Sequence, residues 1–130
     1  MRLSAAWLRP SILVGFAFFV MAGLFLHRAY LGAWTPSTEQ IAELEGGLRI
    51  PQSLEAGPLQ DYVRHYAGVT EFGRRIIVGV LVKKSPDDKP GVYIGNEAEL
   101  PRIADGGCGI VTVRYDPSSK EIRARCNGYG

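Results

Sequence analysis

Cysteine is scarce in this sequence, with two among 130 residues. That excludes a disulfide-dense scaffold and a four-cysteine zinc site. Excess charge is also missing. A net charge of +2 is too small to indicate a nucleic-acid binder. No low-complexity tract and no internal repeat is present, which excludes wholesale disorder and a solenoid. The length leaves room for one domain.

Charge is absent altogether from Ser11 to Leu26, sixteen residues reading SILVGFAFFVMAGLFL. Arg2 and Arg9 precede this run and Arg28 follows it. Residues 35–130 carry 12 basic and 13 acidic residues, so the basic character belongs to the amino-terminal region. A membrane span needs about 20 residues. The run lengthens at its ends, where His27 and Arg28 can snorkel and Tyr30 and Trp34 suit an interface. Trp7 and Trp34 lie 27 residues apart, roughly 40 Å as a helix at 1.5 Å per residue. That matches a bilayer with its headgroup zones. We therefore expect a retained signal anchor over 11–34, a cytoplasmic segment over 1–10, and everything beyond outside the cytoplasm. The alternative is a cleaved signal peptide and a secreted domain. Leu31-Gly32-Ala33 puts a bulky leucine where cleavage wants a small residue.

Residues 35–57 read as a spacer with one short helix. Ser37-Thr38-Glu39-Gln40 is a capping box, Ile41 and Leu44 share a face, and Gly46-Gly47 stops the helix near Glu45. Residues 58–130 read as an extracytoplasmic α+β domain. Leu59, Tyr62, Val63 and Tyr66 recur at helical spacing, which predicts a main helix over 58–67 ended by Gly68. Arg74 to Lys84 predicts a central strand, a continuous apolar run between basic doublets. Val92-Tyr93-Ile94 is a short strand after the loop 85–91. Ile110–Tyr115 and Lys120–Arg125 alternate around Asp116-Pro117-Ser118-Ser119, which predicts a hairpin. Val113 opposite Ile122 gives it one apolar face, and sets Cys126 opposite Gly109. Joining Cys108 to Cys126 then requires a bulge at the glycines or a one-residue shift. The expected fold is a small sheet of three or four mostly antiparallel strands, packed by one main helix. A Cys108–Cys126 disulfide pins its carboxy-terminal hairpin, stabilising it by ~3 kcal/mol on the chain-entropy model.

Chemistry-bearing sets are few. Asp61 and His65 would sit at i and i+4 on the expected helix, where a carboxylate can orient an imidazole. Cys108, between glycines, could act as a thiolate with His65 as its base. Each has a plainer reading: a surface ion pair and a structural disulfide. Glu97, Glu99 and Asp105 could hold calcium, but their spacing does not match an EF-hand. They read as a solvated loop. Arg74, Arg75, Lys83, Lys84, Arg114, Arg123 and Arg125 could form a basic face for anionic headgroups or an acidic partner. Equally, they could guard strand edges. We expect no catalytic residues, no metal, no cofactor and no nucleic-acid partner. The leading expectation is a membrane-anchored interaction or accessory domain with an envelope protein partner. A small-ligand or anionic-surface module and a small enzyme are the alternatives.

Gly73-Arg74-Arg75, Gly106-Gly107-Cys108, Val113-Arg114-Tyr115-Asp116 and Cys126-Asn127-Gly128 resemble motifs of small bacterial single-span membrane proteins. That resemblance implies a bacterial inner membrane with the domain in the periplasm, and no particular activity. The overall plan also resembles a type IV pilin-like subunit. However, Gly15-Phe16 leads into Ala17-Phe18-Phe19 without the glutamate of that family's processing site.

Overall fold

The computed structural model describes residues 33–53 and 56–127. The expected anchor therefore lies, up to residue 32, outside the described residues; its last two residues, Ala33 and Trp34, pair with Val69 and Gly68 as a strand and do not continue a span. Among the described residues no helix is long and apolar enough to cross a membrane.

Among the described residues six strands, where three or four are expected, form one sheet: β1 (Ala33–Trp34), β2 (Tyr62–Glu71), β3 (Arg74–Lys83), β4 (Val92–Gly95), β5 (Gly107–Asp116) and β6 (Glu121–Asn127). The order across it is β1-β2-β3-β5-β6. β4 pairs with β2 in parallel, and every other neighbouring pair is antiparallel. β1 and β4 lie end to end along one edge of β2. Trp34 pairs with Gly68, and Gly95 pairs with Ala67.

One helix, α1 (Thr38–Gly47), packs on the sheet. Its capping box forms as the sequence predicts. Gln40 N–H donates to Ser37 Oγ at 3.2 Å, and Ser37 N–H donates to the Gln40 side chain at 3.0 Å. Ile41 and Leu44 drop into a core of Tyr62, Tyr66, Ile77, Leu81, Val111, Val113 and Tyr115. This helix belongs to the compact unit that begins at Gly32, and so it is core where we expected a spacer. Glu45 of α1 ties helix to sheet. It accepts from Tyr66 Oη at 3.0 Å and lies 2.9 Å from Arg64 Nε.

The expected main helix over 58–67 is not formed. Leu59–Asp61 makes one 3-10 turn, and β2 starts at Tyr62. Tyr62 and Tyr66 share a face at spacing four in a helix, but also at period two in a strand. Tyrosine, valine and threonine are enriched through this stretch, and their branched or aromatic side chains favour the pleated surface. Gly68 lies within β2 and does not end a helix. A Cβ there would come within 2.2 Å of the Trp34 carbonyl oxygen. Gly79, opposite Tyr66, likewise leaves room for the tyrosine ring.

β3 is the central strand that the sequence indicates. The β5–β6 hairpin and its disulfide also form. The register differs from expectation by two residues. Tyr115 faces Ile122, Val113 faces Ala124, and Cys126 lies opposite Val111. A two-residue shift leaves each side chain on its own face, so the apolar face survives. A bulge between Gly107 and Val111 brings Cys108 to Cys126, with Cα atoms 4.5 Å apart.

Candidate functional site

Alternation along β2 sends Tyr62, Arg64 and Tyr66 toward α1, and Val63, His65 and Ala67 to the opposite face. The parallel register places Tyr93 beside His65. Their rings stack with centroids 5.1 Å apart and planes 17° from parallel. Burial holds the His65 imidazole below its ordinary pKa, so the ring is neutral at pH 7. Val92 and Tyr93 are 39% and 49% exposed, which is unusual for neighbouring apolar residues on a strand. A groove of about 530 Å³ runs along them, lined by His65, Tyr93, Ile94, Glu99 and Leu100. Its floor is fixed by a small capping box. Asn96 Oδ1 accepts from Ala98 N–H at 3.0 Å, and Glu99 Oε2 accepts from Asn96 N–H at 2.9 Å. The outer edge of β4 has no partner strand among the described residues. Exposed apolar side chains, a groove and unpaired backbone groups are what an added chain segment needs.

The seven basic residues named above are split. Arg74, Arg114, Arg123 and Arg125 share the face away from α1, by the pairing of Glu71 with Arg74 and of Arg114 with Arg123. Arg74, Arg114 and Arg123 border a second groove of about 310 Å³ with Glu71, Phe72, Asp116 and Glu121. Arg75 is on the other face, its guanidinium 5.3 Å from the Trp34 ring centre. Lys83 and Lys84 lie at the far end of β3.

The arginine face is largely neutralised. Arg114 grips Glu71 through both terminal nitrogens, and Arg74 meets Asp116. Arg123 pairs with Glu121 at 2.7 Å. The Arg114 contact holds Glu71 below the usual carboxylate range and lifts the guanidinium in turn. Asp116 is lowered to about 2, first by the Ser118 hydroxyl, then by Ser118 and Ser119 backbone amides and by Arg74. Arg125 alone of the four meets no carboxylate among the described residues. Its Nε lies 3.4 Å from Thr112 Oγ1.

The catalytic alternatives are not assembled. Cys108 is bonded to Cys126, so it offers no thiolate. Asp61 closes the 3-10 turn while His65 stacks on Tyr93, so the expected i, i+4 pair has no helix to carry it. Of the acidic loop, Glu99 and Asp105 accept from Asn96 and Gly106 backbone amides. No three metal-ligating side chains converge among the described residues.

Sequence reasoning missed the β4 groove. Its one legible sign was the exposed pair Val92-Tyr93 after a polar loop. The stacking partner, His65, falls within the expected helix over 58–67 but lies on β2. The chain matches no family model, no curated protein and no solved structure.

Proposed function

We propose that this protein is a membrane-anchored, extracytoplasmic interaction domain, which holds an envelope protein along the β4 edge and performs no chemistry. The observation that carries the reading is the unpaired, apolar edge of β4 above the His65–Tyr93 groove. The uncharged run Ser11–Leu26 supports the anchor, and the resemblance of the Gly73-Arg74-Arg75, Gly106-Gly107-Cys108, Val113-Arg114-Tyr115-Asp116 and Cys126-Asn127-Gly128 motifs to small bacterial single-span proteins supports the inner membrane. The disulfide supports an oxidising compartment. The residues that suggested catalysis have other roles: Cys108 staples the hairpin and His65 packs on Tyr93. Binding to anionic surfaces through the arginine face is the weaker reading, since three of its four arginines are already met by carboxylates.

The test is photo-crosslinking in cells from p-benzoylphenylalanine placed at position 93 of the full-length chain. One discrete envelope protein should be captured. Capture should persist when residues 11–31 are exchanged for an unrelated apolar span. No adduct, or adducts dispersed over many proteins, would overturn the reading.

A further inference from the structure

The outer edge of β4 is cut to two residues. Arg64 N–H donates to the Gly91 carbonyl at 3.0 Å, so in this parallel ladder Gly91, Tyr93 and Gly95 turn their backbone groups to β2. Val92 and Ile94 turn theirs outward, where no strand of the described residues meets them. The next outward positions are closed. Pro90 has no N–H to offer. Asn96 spends both groups on Glu99: its N–H donates to Glu99 Oε2 at 2.9 Å, and its carbonyl accepts from the Glu99 amide at 3.0 Å. A long foreign strand finds little beyond Val92 and Ile94.

A short strand of the same kind fits better, because this segment reads alike in both directions about Tyr93. Lys89-Pro90-Gly91-Val92-Tyr93-Ile94-Gly95-Asn96-Glu97 puts a β-branched residue on each side of the tyrosine, a glycine beyond each, and opposite charges at the ends. A two-fold interface needs such a patch, since each side must fit its own copy. Set antiparallel against itself with Tyr93 on the axis, β4 brings Val92 of each copy opposite Ile94 of the other. Each such pair exchanges two backbone bonds, which uses every outward group of both residues. Tyr93 meets Tyr93 in the closer, non-hydrogen-bonded kind of pair, with Cα atoms about 4.5 Å apart. On that face the stacked His65 and Tyr93 rings of one copy continue into those of the other. Lys89 falls opposite Glu97. Both are exposed, and neither has an ion-pair partner among the described residues.

We propose that the partner held along the β4 edge is a second copy of this chain, paired β4 to β4 across a two-fold axis at Tyr93. The inference rests on the recognition reading of that edge and names its occupant. Val92 and Tyr93, bare in the single chain, are covered by their mates. Two sheets become one, with β6 at both outer limits. The charged row Glu121, Arg123 and Arg125 discourages a further strand there, so assembly closes at two.

The experiment uses the full-length chain in native membranes. Tyr93→Cys should form a reducible dimer of the chain, since the paired Cα atoms lie within the ~4.4–6.8 Å that a disulfide spans. Val92→Cys should form far less, because the residue opposite it is Ile94. Adding Lys89→Glu to Tyr93→Cys should lower the dimer several-fold, and adding Glu97→Lys as well should restore it. Equal dimer from Val92→Cys and Tyr93→Cys, no effect of Lys89→Glu, or no rescue by Glu97→Lys would overturn the inference. p-Benzoylphenylalanine at position 93 separates the two failures. Capture of one different envelope protein, with no cysteine dimer, would overturn the inference and leave the recognition reading standing. No discrete adduct and no cysteine dimer would overturn both.

Discussion

The two edges of the sheet are built to opposite rules. β6 presents seven residues with Glu121, Arg123 and Arg125 on one face. Charges of this kind discourage the addition of a foreign strand. Its ends are also held, by the Asp116 turn at one and the Cys108–Cys126 bond at the other. The opposite edge is divided. β1 seals the Gly68 half, where the Trp34 indole Nε1–H donates to the Val69 carbonyl at 2.9 Å. β4 covers the other half, and shows Val92 and Tyr93 to solvent. A protein that protects one edge with charge, and seals half of the other with a tryptophan, has had the means to protect β4 as well. Its bareness is the observation on which the proposed recognition role rests.

The largest effect should come from releasing the β6 edge. Replacing Cys108 and Cys126 together by serine frees an 18-residue separation. Stability should fall by ~3 kcal/mol on the chain-entropy model. Urea unfolding checks the magnitude. Hydrogen exchange checks the location: β6 amides should lose protection while β4 amides keep theirs. Equal loss at both edges would mean that the bond holds the whole sheet and does not guard one edge.

Next is the sealed half of the other edge. A Cβ at position 68 would lie 2.2 Å from the Trp34 carbonyl oxygen and 2.6 Å from its ring. The obstacle is backbone, which cannot swing aside. Gly68→Ala should displace β1 and destabilise the domain by about 1–3 kcal/mol, in the range of overpacked sites. Trp34 fluorescence should shift to the red as the indole leaves the sheet. An unshifted emission at unchanged stability would show that β1 is not a seal.

These residues also explain what could be read from the sequence and what could not. The capping box of α1, the central strand, the hairpin and the disulfide were legible because each is a local pattern: Ser37 with Gln40, an unbroken apolar run, alternation around Asp116, two cysteines at its ends. β2 was not legible. Tyr62 and Tyr66 satisfy both periods, and only tertiary contacts with Ile77, Leu81 and α1 decide between them. The same non-local contacts hid the site. His65 meets Tyr93 across a parallel pairing that no local pattern encodes, and Trp34 is placed by Gly68, 34 positions later. The arginines were found, but their neutralisation depends on cross-sheet partners such as Glu71 with Arg114.

A smaller effect tests the turn that starts β6. Asp116 Oδ1 accepts from the Ser118 amide at 2.9 Å and from its hydroxyl at 2.6 Å. These bonds favour the carboxylate, so its folded pKa, about 2, lies below the unfolded value of 3.8. A depressed folded pKa contributes stability that is fully present above the unfolded value and is lost as pH falls from 3.8 toward 2. Asp116→Asn should lower Tm modestly at neutral pH and flatten the acid limb of the stability curve in that window. An unchanged acid limb would mean that other carboxylates set it.

The smallest effect on stability should come from the bare edge, and there the effect on recognition should be greatest. Tyr93→Ala removes a half-exposed ring, so folding should change by no more than ~0.5 kcal/mol, as for ordinary surface positions. On the proposed function, the variant should nevertheless lose capture of an envelope protein. It also uncovers His65. In the native protein burial lowers the imidazole pKa, so the unfolded chain binds the proton more readily. That costs stability progressively as pH falls below the ordinary histidine value of 6.5, until the folded ring also titrates. With the tyrosine gone, the His65 pKa should rise back toward 6.5, and this acid penalty should shrink. Titration of the His65 ring protons by NMR reads the shift directly. A variant that keeps both its partner and its depressed histidine would show that Tyr93 neither covers the ring nor makes the contact, and that the unprotected edge is not the recognition surface.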